Sequence, residues 1–119
     1  MAAFSETEHD IDPARAKEMV ESGEAQLIDV RGPYEWEAGH IAQAVHIEME
    51  RVAARSDEID RDRPVIFQCR LGARSALVSE AFRHTGYDAY NMAGGIIAWT
   101  EAGQPLDPAD GEVAEPRPT

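Results

Sequence analysis

The chain has 119 residues and a mass of 13.1 kDa, enough for one domain with a real core but not for two. No stretch approaches the ~20 apolar residues of a membrane span, and residues 1–10 lack the basic start and apolar run of a signal peptide, so the expected location is cytoplasmic. Asp plus Glu is 23 against 11 Lys plus Arg, a formal net charge of −12 that argues against nucleic acid and against anionic lipid as partners.

Residues 1–9 read as a flexible N-terminus, and Ile11 falls in a short edge strand. Asp12-Pro13 reads as a helix start, with Asp12 as N-cap and Pro13 at the first helical position. Ala16, Met19 and Val20 give that helix an apolar stripe, and Gly23 ends it. Gln26–Val30 is short enough for a buried strand, which Gly32-Pro33 breaks. A turn or short helix follows over Tyr34–Ala38, then a weak strand over Ala44–Ile47 and a helix over Glu48–Ile59. Pro64–Gln68 is the clearest strand and runs directly into Cys69. The next helix spans Ser75–His84, with Leu77, Val78, Ala81 and Phe82 read as its buried side, and Gly86 stops it. Ala89–Met92 is a strand, after which Gly94-Gly95 opens a last helix through Trp99 to Ala102. From Gln104 onward four of sixteen residues are proline and few are apolar. Residues 105–119 are therefore expected to be a disordered acidic tail, with 10–104 as the folded domain.

Short apolar strands alternating with helices imply a parallel sheet with right-handed crossovers and helices on both faces. Ligands of such folds sit at the carboxyl ends of the strands, where Cys69 falls. Strand, loop, then helix is also the geometry of an anion cradle, with inward backbone N–H groups and a helix N-terminus. Gly72 permits a tight loop, and Arg70 and Arg74 bring positive charge close to the sulfur. Each effect favours a thiolate, the nucleophilic form of cysteine. The plain alternative is an inert core cysteine, but such a residue has no reason to be followed by Arg-x-Gly-x-Arg. Arg74 has its own alternative: it either touches substrate or holds loop carbonyls. Cys69 is the only cysteine, which excludes an intrachain disulfide and a Cys-rich zinc site.

Phosphatases also use a cysteine in an anion loop, but theirs has one more residue between Cys and Arg than the four from Arg70 to Ala73. The smaller loop suits a persulfide. Cys69-Arg70-Leu71-Gly72-Ala73-Arg74-Ser75 resembles the active-site loop of single-domain rhodanese-like sulfurtransferases, followed by the first helix residue. Leu27-Ile28-Asp29-Val30-Arg31, with Glu35, Gly39-His40-Ile41 and Ala44, resembles that family's amino-terminal signature. Met92-Ala93-Gly94-Gly95-Ile96-Ile97-Ala98-Trp99 resembles its carboxy-terminal one. Gln43 stands where glycine is common, and Trp36 where another aromatic is usual.

The resemblance implies a three-layer α/β/α rhodanese-like fold around a central five-stranded parallel sheet. It implies Cys69 as the nucleophile that carries a persulfide, and Arg70, Leu71, Gly72, Ala73, Arg74 and Ser75 as the substrate cradle. The donor would be thiosulfate or a persulfide, and the acceptor cyanide, a thiol or a carrier protein, with no metal or organic cofactor. A second reading keeps the same loop but makes the domain a sulfur-carrier, sensing or docking module without significant turnover. Asp29 and Arg31 are expected to pair in a supporting role, and Trp99 to sit in the core or to wall the site. Glu35 and His40 read as a loop clamp rather than an acid–base pair, and His9, His46 and His84 as surface residues. The size of the chain is compatible with a monomer or weak homodimer. The bases are ten Arg and one Lys, which together with the excess acid resembles proteins adapted to high salt, while a high-GC genome also favours Arg over Lys.

Overall fold

The computed structural model describes residues 9–117. Five strands form one sheet in the order β1-β5-β4-β2-β3, and every pairing is parallel. They are β1 (Asp10–Ile11), β2 (Gln26–Asp29), β3 (Val45–His46), β4 (Val65–Gln68) and β5 (Ala89–Met92). Parallel neighbours need crossovers. These contain α1 (Pro13–Glu21), α2 (Pro33–Ala38), α3 (Met49–Val52) and α4 (Ala73–His84), and α5 (Gly95–Glu101) follows the last strand. The central strand β4 is buried at all four positions, as a strand covered on both faces must be.

The alternation of side chains along the strands sorts the core into two halves. Phe67 and Cys69 point with Ile28 toward Val52 of α3 and Val78 and Phe82 of α4. Ile66 and Leu27 point the other way, toward Ala16 and Met19 of α1 and Ile96 and Trp99 of α5. The molecule is therefore a three-layer α/β/α domain. Helix α1 starts as its sequence dictates: Asp12 Oδ1 accepts the Arg15 N–H at 2.8 Å, and Pro13 occupies the first turn. Among the described residues no helix is long and apolar enough to cross a membrane, and no three potential metal ligands cluster.

Three expectations need correction. The single helix over Glu48–Ile59 is instead α3 followed by a 3-10 turn at Ser56–Glu58. Ser56 and Asp57 favour turns over helix interiors, and the Ser56 carbonyl accepts both the Ile59 N–H and the Tyr87 hydroxyl. In α4, Leu77 is 60 % exposed and Ala81 is also exposed. The inward face is Ser75, Val78, Ser79 and Phe82, where two small hydroxyl residues let the helix lie close to the sheet. The segment after Gln104 is not detached over its described part. Leu106 and Val113 pack on the core, the Trp99 indole N–H donates to the Pro105 carbonyl, and Asp107 pairs with His40 through the backbone. Gly39 makes room for it, since a Cβ there would meet the Glu112 backbone at 2.7 Å. Two apolar anchors and proline-limited freedom outweigh the polar composition. The expected flexible N-terminus lies outside the described residues apart from His9, whose carbonyl accepts the Asn91 N–H at 2.8 Å.

Candidate active site

Strands β2 and β4 are adjacent, with Asp29 opposite Gln68, so the loops carrying Arg31 and Cys69 leave the sheet side by side. Cys69 is 1 % exposed. Its Sγ accepts the backbone N–H of Gly72 at 3.1 Å and of Ser75 at 3.4 Å, and Ser75 Oγ lies 3.3 Å away. Two carbonyls at the start of the loop are held from behind. Those of Cys69 and Arg70 accept the N–H groups of Ile96 and Ile97 from the first turn of α5, at 2.9 and 3.1 Å. This approach requires Gly95: a Cβ there would collide with both carbonyl oxygens. Gly72 takes a φ of 108°, which places the next residue at the start of α4. The N-terminus of that twelve-residue helix adds its partial positive charge beside the sulfur. Leu71 is 59 % exposed at the tip of the loop, and Ala73 is exposed beside it.

The two loop arginines differ. Arg70 has no carboxylate partner among the described residues, and its buried Nε has no hydrogen-bond partner there. Arg74 holds neither loop carbonyls nor open space. Its Nη1 and Nη2 donate to the two oxygens of Glu35, each at 2.9 Å. Glu35 also accepts the Gly32 N–H at 3.0 Å, which closes the first turn of α2. Burial pushes the Glu35 carboxyl up, but the hydrogen bonds from Arg74 and Gly32 and the charges of Arg74 and Arg31 bring it below its ordinary value. The same hydrogen bond raises Arg74, against the effect of burial.

Asp29 and Arg31 form a second pair, with side chains fully buried. Arg31 Nε donates to Asp29 Oδ1 at 3.0 Å and Nη2 donates to Oδ2 at 2.8 Å and to the Gly39 carbonyl at 2.9 Å. This pair braces the neighbouring loop. Trp99 does not wall the sulfur: it lies in the core on the opposite face of the sheet. The Glu35–His40 clamp is also absent as a direct contact, since His40 Nδ1 bonds the Trp36 carbonyl. His46 is not a free surface residue. Its Nε2 bonds the Arg31 carbonyl at 2.7 Å, and its ring, like that of His40, stacks with Trp36. A cleft of about 470 Å³ lies beside the cradle, bordered by Tyr34, Glu35, Met49, Arg51, Arg74 and Arg117.

Sequence spacing brings together Cys69, Gly72 and Ser75. It does not reveal Glu35 as the partner of Arg74, 39 positions away. Nor does it reveal Asn91, whose Oδ1 lies 2.5 Å from Ser75 Oγ. A buried polar residue inside an otherwise apolar strand is the one signal that could have found Asn91.

Comparison with known proteins gives a consistent result. The rhodanese-like domain family matches residues 12–102. A protein named sulfurtransferase from Allochromatium vinosum is 34 % identical over 97 residues, covering 81 % of this chain and 91 % of its own length. Thiosulfate sulfurtransferase GlpE of Actinobacillus pleuropneumoniae is 32 % identical over 107 residues, covering 89 % of this chain and 99 % of its own length. The crystal structure of a rhodanese-related protein from Thermoplasma volcanium superposes with a TM-score of 0.76 at 28 % identity, over 82 % of this chain and 96 % of that one.

Proposed function

This chain belongs to the rhodanese-like domain family, and from that membership we propose that it is a sulfurtransferase working through a Cys69 persulfide. The observation that carries the reading is the sulfur itself, held at the start of a helix by the N–H groups of Gly72 and Ser75. Such donors stabilise negative charge on sulfur without having to reorient.

The donor is thiosulfate or a persulfide. The Cys69 thiolate attacks the outer sulfur of thiosulfate, a new S–S bond forms, and the bond to the oxidised sulfur breaks. Sulfite leaves with the electron pair. An acceptor thiolate, a carrier-protein thiolate or cyanide then attacks the terminal sulfur of the persulfide, and the Cys69 thiolate is regenerated. The chain has no second cysteine, so the acceptor is external. Arg70, without a carboxylate partner among the described residues, draws the anionic donor, while Arg74 braces the loop through Glu35. Leu71 and Ala73 shape the mouth of the cradle, and the chemistry uses no metal or organic cofactor.

The test is intact mass after incubation with thiosulfate. A gain of one sulfur atom that cyanide removes is expected, and Cys69→Ser should show none. Absence of the adduct in the unaltered protein rejects the mechanism. Steady-state turnover with a panel of acceptors separates an enzyme from a carrier module, since a module loads once and passes sulfur to none of the small acceptors. The 1 % exposure of Cys69 is the feature that favours the module.

A further inference from the structure

We propose that Asn91 is a positioning residue that acts through Ser75 to set how readily the Cys69 sulfur ionises. The inference rests on the reading of Cys69 as the nucleophile, and it concerns two residues behind the loop. Ser75 Oγ lies 3.3 Å from Cys69 Sγ and 2.5 Å from Asn91 Oδ1. Ser75 is fully buried, and Asn91 is 7 % exposed. A hydroxyl has one proton, so Ser75 cannot donate to both neighbours at once.

The orientation of Asn91 decides where the proton rests. On its far side the amide meets Asp10 of β1, with Nδ2 donating to Asp10 Oδ1 at 3.2 Å. A carboxylate only accepts, so the amide nitrogen faces Asp10 and the amide oxygen faces Ser75. That oxygen can be satisfied by Ser75 only as an acceptor. The Ser75 proton therefore points to Asn91, and the oxygen lone pairs point to the sulfur. This arrangement suits a thiol, which donates its S–H to Ser75. It does not suit a thiolate, which needs the Ser75 proton for itself.

When the thiol proton leaves to a solvent base, the negative charge stays on Sγ and the Ser75 hydroxyl swings from Asn91 to the sulfur. Asn91 Oδ1 is then left without its donor in a buried place, which carries a free-energy cost. Asn91 thus opposes ionisation, while the backbone N–H groups of Gly72 and Ser75 favour it. The other charged groups around the sulfur are Arg70 in the loop and Arg74 at the start of α4, with Glu35 of α2 bound to it. The Asp29–Arg31 pair lies at the end of β2, and Asp10 stands behind Asn91, where His9 and, from α4, Glu80 and Arg83 border the same cleft. Neither β5 nor the first turn of α5 brings a titratable side chain to this cluster. The cradle thus contains a rotor whose setting follows the protonation of the sulfur. Asn91 restrains the reactivity of the empty site, and an acceptor-free residue there would release it.

The test is the pH dependence of Cys69 alkylation by iodoacetamide, clean here because the chain has one cysteine. Asn91→Leu keeps the branched shape and removes the acceptor. Its midpoint should fall by about one pH unit, which is about tenfold more thiolate on the acid side. In a Ser75→Ala background the same substitution should do nothing, because the link between them is gone. An unmoved midpoint in Asn91→Leu, or an equal shift with and without Ser75, overturns the proposal. A second readout needs no change at Asn91. The infrared S–H stretch of the protonated protein should move to higher frequency in Ser75→Ala, as the thiol loses its acceptor, and an unchanged band also overturns the proposal. Alkylation needs no sulfur donor, so these results stand apart from the thiosulfate experiment. A protein that takes no sulfur can still show the shift, and one that takes sulfur can fail to.

Discussion

The loops after β2 and β4 leave adjacent parallel strands at the same edge of the sheet, and each leads from a strand into a helix that begins within a few residues. They use that shared geometry in opposite ways. The β2 loop carries a guanidinium and cancels it at once with Asp29, in a pair sealed from solvent. The β4 loop carries a sulfur and leaves it ringed by N–H groups, with Arg70 lacking a carboxylate partner among the described residues. Glu35 links the two regions, reaching from α2 to neutralise Arg74. In the proposed reading, reactivity sits where charge is left uncompensated, and rigidity where a carboxylate pairs it. The arginine closest to the helix start belongs to the bracing half, although the sequence places it in the reactive half.

The division can be attacked from both sides. Arg31→Met should be the most damaging change, because it strands the buried Asp29 carboxylate. Unfolding in denaturant should show a loss of about 3–5 kcal/mol. If stability barely moves while sulfur loading vanishes, the two loops do not divide the work as described. Glu35→Gln should cost less, about 1–3 kcal/mol, as it weakens the hold on Arg74 and Gly32. The pH dependence has a definite sign. The folded value of Glu35 lies below its ordinary 4.5, so its contribution is complete above that pH and is lost as the pH falls through the folded value. Glu35→Gln should therefore flatten the acid limb of a stability–pH curve below about pH 4.5 and leave the neutral region parallel to the parent.

Cys69→Ser tests the other half. It should alter unfolding by about 1 kcal/mol or less, since shape is nearly kept, while abolishing the sulfur adduct in a mass spectrum. Arg70→Gln should be the mildest for stability, within about 0.5 kcal/mol. It should still slow loading by thiosulfate in stopped-flow measurements. That deficit should shrink toward ~1 M salt, where the Debye length is about 3 Å. A deficit independent of salt would assign Arg70 a contact role rather than one of attraction.

The parts of this fold that the sequence reveals are those fixed by neighbours in the chain. Asp12 and Pro13 start a helix, Gly23 ends it, and Ala89–Met92 forms a strand within the limits its pattern suggests. The Cys69 loop is legible for the same reason: Gly72, Ala73 and Ser75 act within six residues of the sulfur. What the sequence hides is set at long range. Glu35 finds Arg74 across 39 positions, and Asp10 finds Asn91 across 81. Leu77 misleads because hydrophobicity alone picks the buried side of α4, whereas the packing surface there is chosen by the small side chains of Ser75 and Ser79. The tail misleads because its composition is polar, while Leu106 and Val113 together with the Trp99–Pro105 and His40–Asp107 hydrogen bonds hold it on the core.

The carbonyls of Cys69 and Arg70 are bound by the first turn of α5, and this has a consequence for the energetics of sulfur transfer. In the proposed transfer, water around a reacting anion would have to turn its dipoles as charge moves from the thiolate to the leaving group, and that turning is part of the barrier. The backbone that leads from Cys69 toward Gly72 is pinned at those two carbonyls, so in the proposed mechanism the Gly72 N–H keeps its aim at the sulfur along the reaction coordinate. The entropy lost in aligning those dipoles was lost when the chain folded, before any donor arrived. The loaded and unloaded loops should accordingly share one backbone shape, and the last helix, which never touches the sulfur, acts as the clamp that holds the reaction field in place.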